Sequence, residues 1–417
     1  MKAFHFMSFG CKVNRYDGQR IVEELQHAGW RSAEGLEEAD LVVVNCCVVT
    51  GRSAGRCRRY VRSAVRRARG ADIFVTGCHT PEDRGPMAAL SERVRVVEPG
   101  GGLESVREYL SSGSSAQGVS GLIDRTRAYV KVQDGCDLHC AYCIIPSIRG
   151  DSRSRPSDKI LSEVSGLLEA GYSELVLCGI RLGGFRDGAA RLEHLVQLIL
   201  DRSPGPFRLR LSSLNPAEVT GGLLEVMSGD DRVAPHLHLP LQSGDDATLR
   251  RMKRPYTVEG FLRKLEEVRA ALPNPAISTD FMVGFPGEAP QSFERSLETL
   301  DATGASRVHV FPYSVRKGTA AADLPQVADG EKTARAAAAR RMADRLKERF
   351  DRQFIGTEAT IIVEGREPPR GLTSRYQSVE IDLSRSRAPR PEAGTFVPLT
   401  LDGYEGGTFS GRMAGVS

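Results

Sequence analysis

Cys136, Cys140 and Cys143 form a Cys-x-x-x-Cys-x-x-Cys run directly after a candidate β-strand, in a chain with nine cysteines among 417 residues. Structural zinc sites usually draw four ligands as two close pairs. Here three thiols fall within eight residues, with no obvious fourth. Three thiolates can hold three corners of a cubane iron–sulfur cluster and leave one iron open. An open iron can chelate an amino group and a carboxylate together. S-adenosylmethionine (SAM) carries both, next to a sulfonium that one electron can cleave. The resulting primary radical abstracts hydrogen from unactivated carbon, which acid–base catalysis cannot do. A zinc knuckle is the competing reading. A second thiol group is dispersed: Cys11, the neighbours Cys46 and Cys47, and Cys78.

The elements around these cysteines explain how they could meet. Strand candidates Ala3–Ser8, Leu41–Asn45 and Ile73–Thr76 alternate with helical patterns over Asp17–Gly29 and Arg52–Arg69. Apolar runs separated by helices imply a parallel sheet. Each strand candidate leads into a cysteine, and ligands of open α/β sheets gather beyond the carboxyl ends of strands. Further on, six strand candidates alternate with helices: Ala128–Val132, Leu175–Cys178, Phe207–Leu211, Leu237–Leu239, Ile277–Val283 and Val308–Phe311. They read as a parallel barrel, complete or partial. Arg208, Arg210 and Ser212 share one strand face, as do His236 with His238 and Ser278 with Asp280. A closed barrel fills its interior with branched aliphatics, so these faces predict an interior open to water or a polar ligand. Beyond a helical pattern over Glu331–Arg352, short β runs at Ala359–Val363, Ser378–Leu383 and Thr395–Leu399 read as a small all-β barrel.

Composition narrows the class. Hydrophobic residues make up 40% of the chain, enough for real cores, which excludes a disordered polymer. No run approaches the ~18 apolar residues of a membrane span, and the N-terminus does not read as a signal peptide. A cytoplasmic protein with reduced thiols is the expectation. The net charge is only +4, so any basic surface is local. The small-residue stretch Ser111–Gly118 marks a linker. The division expected is 1–110, 121–350 and 353–417.

Longer runs carry a resemblance. Phe9-Gly10-Cys11-Lys12-Val13-Asn14, Val44-Asn45-Cys46-Cys47-Val48-Val49-Thr50 and Val75-Thr76-Gly77-Cys78 resemble the radical SAM methylthiotransferase family. So do Gln133-Asp134-Gly135-Cys136, Ile144-Ile145-Pro146 with Arg149-Gly150, His238–Gly244, Arg251–Thr257, Val283–Glu288 and Val310–Ser314. The resemblance runs in order through nearly the whole chain. It implies an N-terminal parallel α/β domain, a central radical SAM partial (β/α) barrel and a C-terminal RNA-binding β-barrel, the TRAM domain. It implies two [4Fe-4S] clusters, one on Cys11, Cys47 and Cys78 and one on Cys136, Cys140 and Cys143, the latter binding SAM. Tyr142, Gly179 and Gln242 would contact SAM. The opening run and Val132-Gln133-Asp134-Gly135-Cys136 most resemble the subfamily that methylthiolates C2 of threonylcarbamoyladenosine beside the tRNA anticodon. Isopentenyladenosine in tRNA and a ribosomal-protein aspartate are the alternative substrates. A non-catalytic iron–sulfur or zinc RNA-binding protein is the alternative of another class. An electron donor such as flavodoxin or ferredoxin and a sulfur source are implied partners.

Two departures bear on the site. The family has Asn-Thr-Cys at the second strand, where this chain has Asn45-Cys46-Cys47. Register gives Cys47 as the ligand, and neighbours on an extended strand point opposite ways. The stretch 353–417 carries seven Arg and no Lys against eight Asp and Glu, so the expected RNA-binding barrel is not basic. Basic charge is found instead on the helix Arg52–Arg69, which holds eight arginines and no acid. Unpaired, they would repel one another, and a phosphate backbone would relieve that. Arg58, Arg62 and Arg66 are the expected RNA contacts.

Overall fold

Five parallel strands, apolar through the central β3 and β4, build the N-terminal unit: β1 (Ala3–Ser8), β2 (Arg31–Ser32), β3 (Leu41–Cys46), β4 (Asp72–Gly77) and β5 (Val94–Val96), in the order β2-β1-β3-β4-β5. The structure is a computed structural model and describes residues 1–47, 49–110, 119, 126–365, 367–385 and 389–413. The expected linker Ser111–Gly118 lies outside the described residues. Every residue of β3 is buried, as a parallel sheet covered on both faces requires. Helices α1 (Lys12–His27) and α4 (Gly102–Leu110) cover one face through Ile21, Val22, Leu25, Leu103 and Val106. Helix α2 (Gly51–Arg67) and α3 (Pro81–Ala88) cover the other through Cys57, Val61, Ala64 and Met87. Thr50 starts α2 by accepting the Ser53 N–H at 3.2 Å. The short strands β2 and β5 escape a periodicity reading, since two or three residues carry no pattern.

The central unit begins with β6 (Arg127–Lys131). A short antiparallel pair, β7 (Gln133–Asp134) and β8 (Arg153–Ser154), flanks the cysteine loop and helix α5 (Ile145–Arg149). The remaining strands are β9 (Glu174–Cys178), β10 (Arg208–Leu211), β11 (His236–His238), β12 (Ala276–Val283) and β13 (Arg307–Pro312). They form the parallel sheets β6-β9-β10 and β11-β12-β13. Bridges at Leu209 with Val233 and at Ser213 with His238 carry the sheet across from β10 to β11. β6 and β13 do not pair among the described residues. The barrel is therefore partial, with a lateral opening between these two edges. Helices α6 (Ser157–Glu169), α7 (Leu192–Arg202), α8 (Gly221–Gly229), α9 (Asp246–Arg251), α10 (Val258–Ala271), α11 (Pro290–Ala302) and α12 (Asp329–Arg352) surround it. The mixed signs along α12 resolve into i,i+4 pairs, such as Lys347 with Asp351 at 2.6 Å and Arg352 with Glu348 at 2.7 Å.

The C-terminal unit is a closed barrel of β14 (Glu358–Glu364), β15 (Arg370–Thr373), β16 (Ser378–Ile381), β17 (Phe396–Glu405) and β18 (Thr408–Met413). It docks onto the central unit in a way that corrects one expectation. Arg208 and Arg210 do not face a wet lumen. Arg208 donates to the Leu372 and Thr360 carbonyls, both at 2.9 Å. Arg210 is fully buried, lies 3.7 Å above the Tyr376 ring and donates to the Thr373 carbonyl at 2.6 Å. Glu174 neutralises both, at 3.3 Å and 3.0 Å, and also pairs with Arg127. Polar residues at period two here serve an inter-domain seam, where guanidinium donors meet backbone carbonyls of β14 and β15.

Candidate active site

The N-terminal thiols converge because their strands end at one sheet edge. Cys11 is exposed and occupies the N-cap of α1. Cys47 follows β3 and Cys78 follows β4, with the Cys78 N–H bonded to the Cys46 carbonyl at 3.0 Å. Gly10, at φ +111°, passes so close that a Cβ there would sit 2.8 Å from the Cys47 Cβ. No other residue fits that turn. Asn14 donates to the Phe9 and Cys46 carbonyls at 2.7 and 2.8 Å, and Asn45 donates to the Asn14 carbonyl at 2.6 Å. These amides tie the cysteine-bearing loops together. The thiols of Cys11, Cys47 and Cys78 lie within electrostatic reach of one another. Cys46 turns the other way: it has no exposed surface and its thiol hydrogen-bonds that of Cys57 in the core. Cys57 also accepts the Cys47 N–H at 3.4 Å, so it props the loop from behind.

The second triplet lies on a tight loop. Gly135, at φ +71°, leaves no room for a side chain, because a Cβ would fall 1.9 Å from the Asp151 carbonyl oxygen. Gln133 donates to the Asp134 and Gly135 carbonyls at 2.8 Å, and the Cys136 N–H bonds the Gly150 carbonyl at 3.0 Å. The Ala141 N–H reaches the Met252 carbonyl at 3.0 Å and fixes the loop against the barrel. Burial pushes the Cys143 thiol up to about 11 and raises that of Cys136. Cys78 is pushed up to about 12 by burial, against the pull of Arg149.

A guanidinium is aimed at one sulfur of each triplet. Arg254 donates to Cys140 Sγ at 3.2 Å. Arg149 donates to Cys78 Sγ at 3.2 Å, and also pairs with Asp17 and Asp134, both at 3.0 Å. Its second terminal nitrogen reaches Asn14 Oδ1 at 3.3 Å. Arg149 thus joins α1 and β4 of the N-terminal unit to the cysteine loop of the barrel. Lys131 reinforces the seam by pairing with Asp17 and, at 3.1 Å, with Asp134. Cationic donors on sulfur fit thiolates that carry negative charge in a cluster. Among the described residues no three His, Cys, Asp or Glu side chains gather closely enough to hold a single metal ion. A cubane distributes its thiolates over different irons and needs no such point. Arg149 and Arg254 stand inside family-like runs, but their spacing signals nothing: their sulfur partners are 71 and 114 residues away.

The three expected SAM contacts have different immediate neighbours. Tyr142 is packed edge-on to Phe285, with ring centroids 6.5 Å apart. Gly179 lies against Gln133, where a Cβ would meet its Oε1 at 2.9 Å. Gln242 adopts φ +64° and its buried Oε1 has no hydrogen-bond partner among the described residues, an acceptor poised for a donor from a ligand.

The arginine helix is less bare than expected. Arg58 pairs with Asp83 at 2.8 Å and Arg67 with Glu37 at 2.7 Å. Both acids come from elements outside the helix, so its own sequence does not reveal them. Arg62 and Arg66 are exposed, with no ion-pair partner among the described residues.

Comparison with known proteins agrees with this layout. The family described as the Radical SAM superfamily matches residues 130–300, and Uncharacterized protein family UPF0004 matches residues 3–98. A Chlamydia pneumoniae protein named threonylcarbamoyladenosine tRNA methylthiotransferase MtaB is 37% identical, over 76% of each chain. A Zymomonas mobilis tRNA-2-methylthio-N(6)-dimethylallyladenosine synthase is 33% identical, over 87% of this chain and 84% of its own. Among solved structures, the radical SAM methyltransferase TsrM from Kitasatospora setae superposes with a TM-score of 0.58 over 77% of each chain, at 13% identity.

Proposed function

Because this chain belongs to the radical SAM methylthiotransferase family, we propose that it adds a methylthio group to C2 of N6-threonylcarbamoyladenosine in tRNA. The observation that carries the reading is the pair of thiol triplets on facing edges, bridged by Arg149, in a chain 37% identical to a relative named for that reaction. Cys136, Cys140 and Cys143 hold the cluster that binds SAM, and Cys11, Cys47 and Cys78 hold the second. When bound, these groups supply a carbon-centred radical and the sulfur to be transferred. The protein's own work is positional. Arg254 and Arg149 balance thiolate charge, and Gly10 and Gly135 let backbone close around the cysteines. Asp17, Lys131 and Asp134 hold the two edges in register. Tyr142 and Gln242 line the SAM side, with Gly179 shaping the loop beside them. The proposed domains are 1–110, 121–350 and 353–417. A low-potential electron donor and a sulfur source are required partners. No helix among the described residues is long and apolar enough to cross a membrane. The proposed compartment is the cytoplasm, a reading supported by the tRNA substrate.

Mass spectrometry of tRNA nucleosides from cells with and without the gene tests the reading. Loss of 2-methylthio-threonylcarbamoyladenosine on deletion is expected. Loss of the dimethylallyl counterpart instead would transfer the assignment to the other branch.

A further inference from the structure

All three units meet at one cavity of about 240 Å3 in the lateral opening of the barrel. Tyr129 of β6 lines one edge and Arg307 and His309 of β13 the other, with Lys12 of α1 and Tyr376 of the C-terminal barrel completing the lining. The volume is below the roughly 300–1,000 Å3 of a drug-sized ligand site, so it suits a substituent rather than a whole nucleoside. Its charge is one-sided. Lys12 and Arg307 have no hydrogen-bond or ion-pair partner among the described residues, yet both lie close enough to bear on His236 and His309. The acids nearby are already engaged. Asp351 is held by Lys347 at 2.6 Å and by Gln377 at 3.2 Å. Asp280 faces His238 at 3.3 Å and His309 at 3.7 Å. His236, only 6% exposed, lines the same cavity with an Nδ1 that has no hydrogen-bond partner among the described residues. Buried polar groups are rarely left so. Unpaired cations plus an orphaned ring nitrogen call for an anionic, hydrogen-bonding occupant.

We propose that Lys12 and Arg307 bind the carboxylate of the threonylcarbamoyl arm on N6, so that the cavity selects the substrate by its negative charge. The inference rests on the tRNA reading above and deepens it. A dimethylallyl arm has no charge and could not repay the desolvation of two cations. Position agrees as well. Lys12 follows Cys11 directly, and in adenine the carbon that bears N6 (C6) and C2 flank the same ring nitrogen, N1. An arm anchored beside Lys12 therefore keeps C2 next to the N-terminal thiols.

The test uses the full chain with both clusters reconstituted. Two anticodon stem-loop RNAs are compared, one with threonylcarbamoyladenosine and one with the same residue carrying a primary carboxamide in place of the carboxylate. Both Kd and methylthiolation turnover are measured. The acid should bind at least about tenfold more tightly than the near-isosteric amide, because the amide leaves the cations unpaired. Arg307→Gln and Lys12→Gln should each shrink that ratio toward one. Iron content checks that Lys12→Gln has not simply lost the neighbouring cluster, and Arg307→Gln, distant from any cysteine in sequence, decides if it has. Equal affinity for acid and amide in the wild type would overturn the proposal, as would an undiminished preference in both variants. Clear discrimination in Kd with no methylthiolation of either RNA would sustain the anion site and sink the functional reading instead.

Discussion

Cys46 and Cys47 are adjacent in sequence but their thiols meet different neighbours. Cys46 shares a hydrogen bond with Cys57 in the closed core, whereas Cys47 faces the loops of Cys11 and Cys78. Strand alternation is the cause, and Gly10 adds selectivity by opening space only on the Cys47 side. Replacing Cys47 by Ala should lower iron by about four atoms per chain after reconstitution, since a cubane that loses one of three protein ligands is not retained. Cys46→Thr should keep the full iron content. Its expected cost is in stability, about 1 kcal/mol, from exchanging a thiol for a branched hydroxyl in a packed site. Iron and sulfide analysis together with a melting curve distinguishes the two positions. An iron-poor Cys46→Thr beside an iron-replete Cys47→Ala would reverse the register.

At the scale of elements, the six barrel strands and the cysteine-bearing strand ends were legible in sequence because long apolar runs and period-two faces leave a local pattern. What those faces touch was not. Arg208 and Arg210 read as lumen residues, yet they hold carbonyls contributed from more than 150 positions away. The same limit hid Asp83 behind Arg58 and left Arg149 and Arg254 without a role, since a long-range partner has no spacing to read. The seam makes its own pH prediction. Burial raises the Glu174 carboxyl, but Arg210, Arg127 and Arg208 overcome that and bring it from 4.5 to about 2. Arg208 is itself drawn down to about 10 by burial and by Arg210, so the ion cluster is worth less than Glu174 alone suggests. A depressed carboxyl stabilises the fold above its unfolded value and ceases to do so as pH falls through its folded value. The contribution, at most about 3 kcal/mol, should therefore vanish between pH 4.5 and about 2. Glu174→Gln should lose stability at neutral pH by about 3–5 kcal/mol, since the buried Arg208 and Arg210 and the half-buried Arg127 lose a counter-charge. The wild-type minus variant difference in unfolding free energy should shrink across that acid window. A difference that stays constant from pH 6 to pH 2 would mean that Glu174 is not the anchor of the seam.

On the scale of the whole molecule, the question is which surface meets the RNA backbone. The C-terminal barrel has one more acid than base over 353–417, and two of its basic residues, Arg370 and Arg412, face Glu380 and Asp402. Arg375 is turned into the seam, donating to the Asn274 and Pro273 carbonyls at 2.8 Å. Helix α2 has the better electrostatic claim, although Arg58 and Arg67 are already paired. Its N-terminus touches the end of β13, where the Gly51 N–H donates to Ser314 Oγ at 3.0 Å, so a strand crossing the lateral opening would run onto it. Arg62 and Arg66 remain exposed along its length. Each phosphate they neutralise releases counterions, and log affinity for tRNA should fall with log salt by about 0.7–0.9 per contact. Arg62→Gln with Arg66→Gln should therefore weaken tRNA binding and flatten the salt slope by about 1.4–1.8 if each makes one contact. Arg58→Gln should do little to the slope, because its charge is already matched by Asp83. The measurement is binding by the reconstituted full chain across a salt series. A slope unchanged in the double variant but flattened by Arg390→Gln with Arg412→Gln would move the backbone contact to the C-terminal barrel and leave α2 a solvated face.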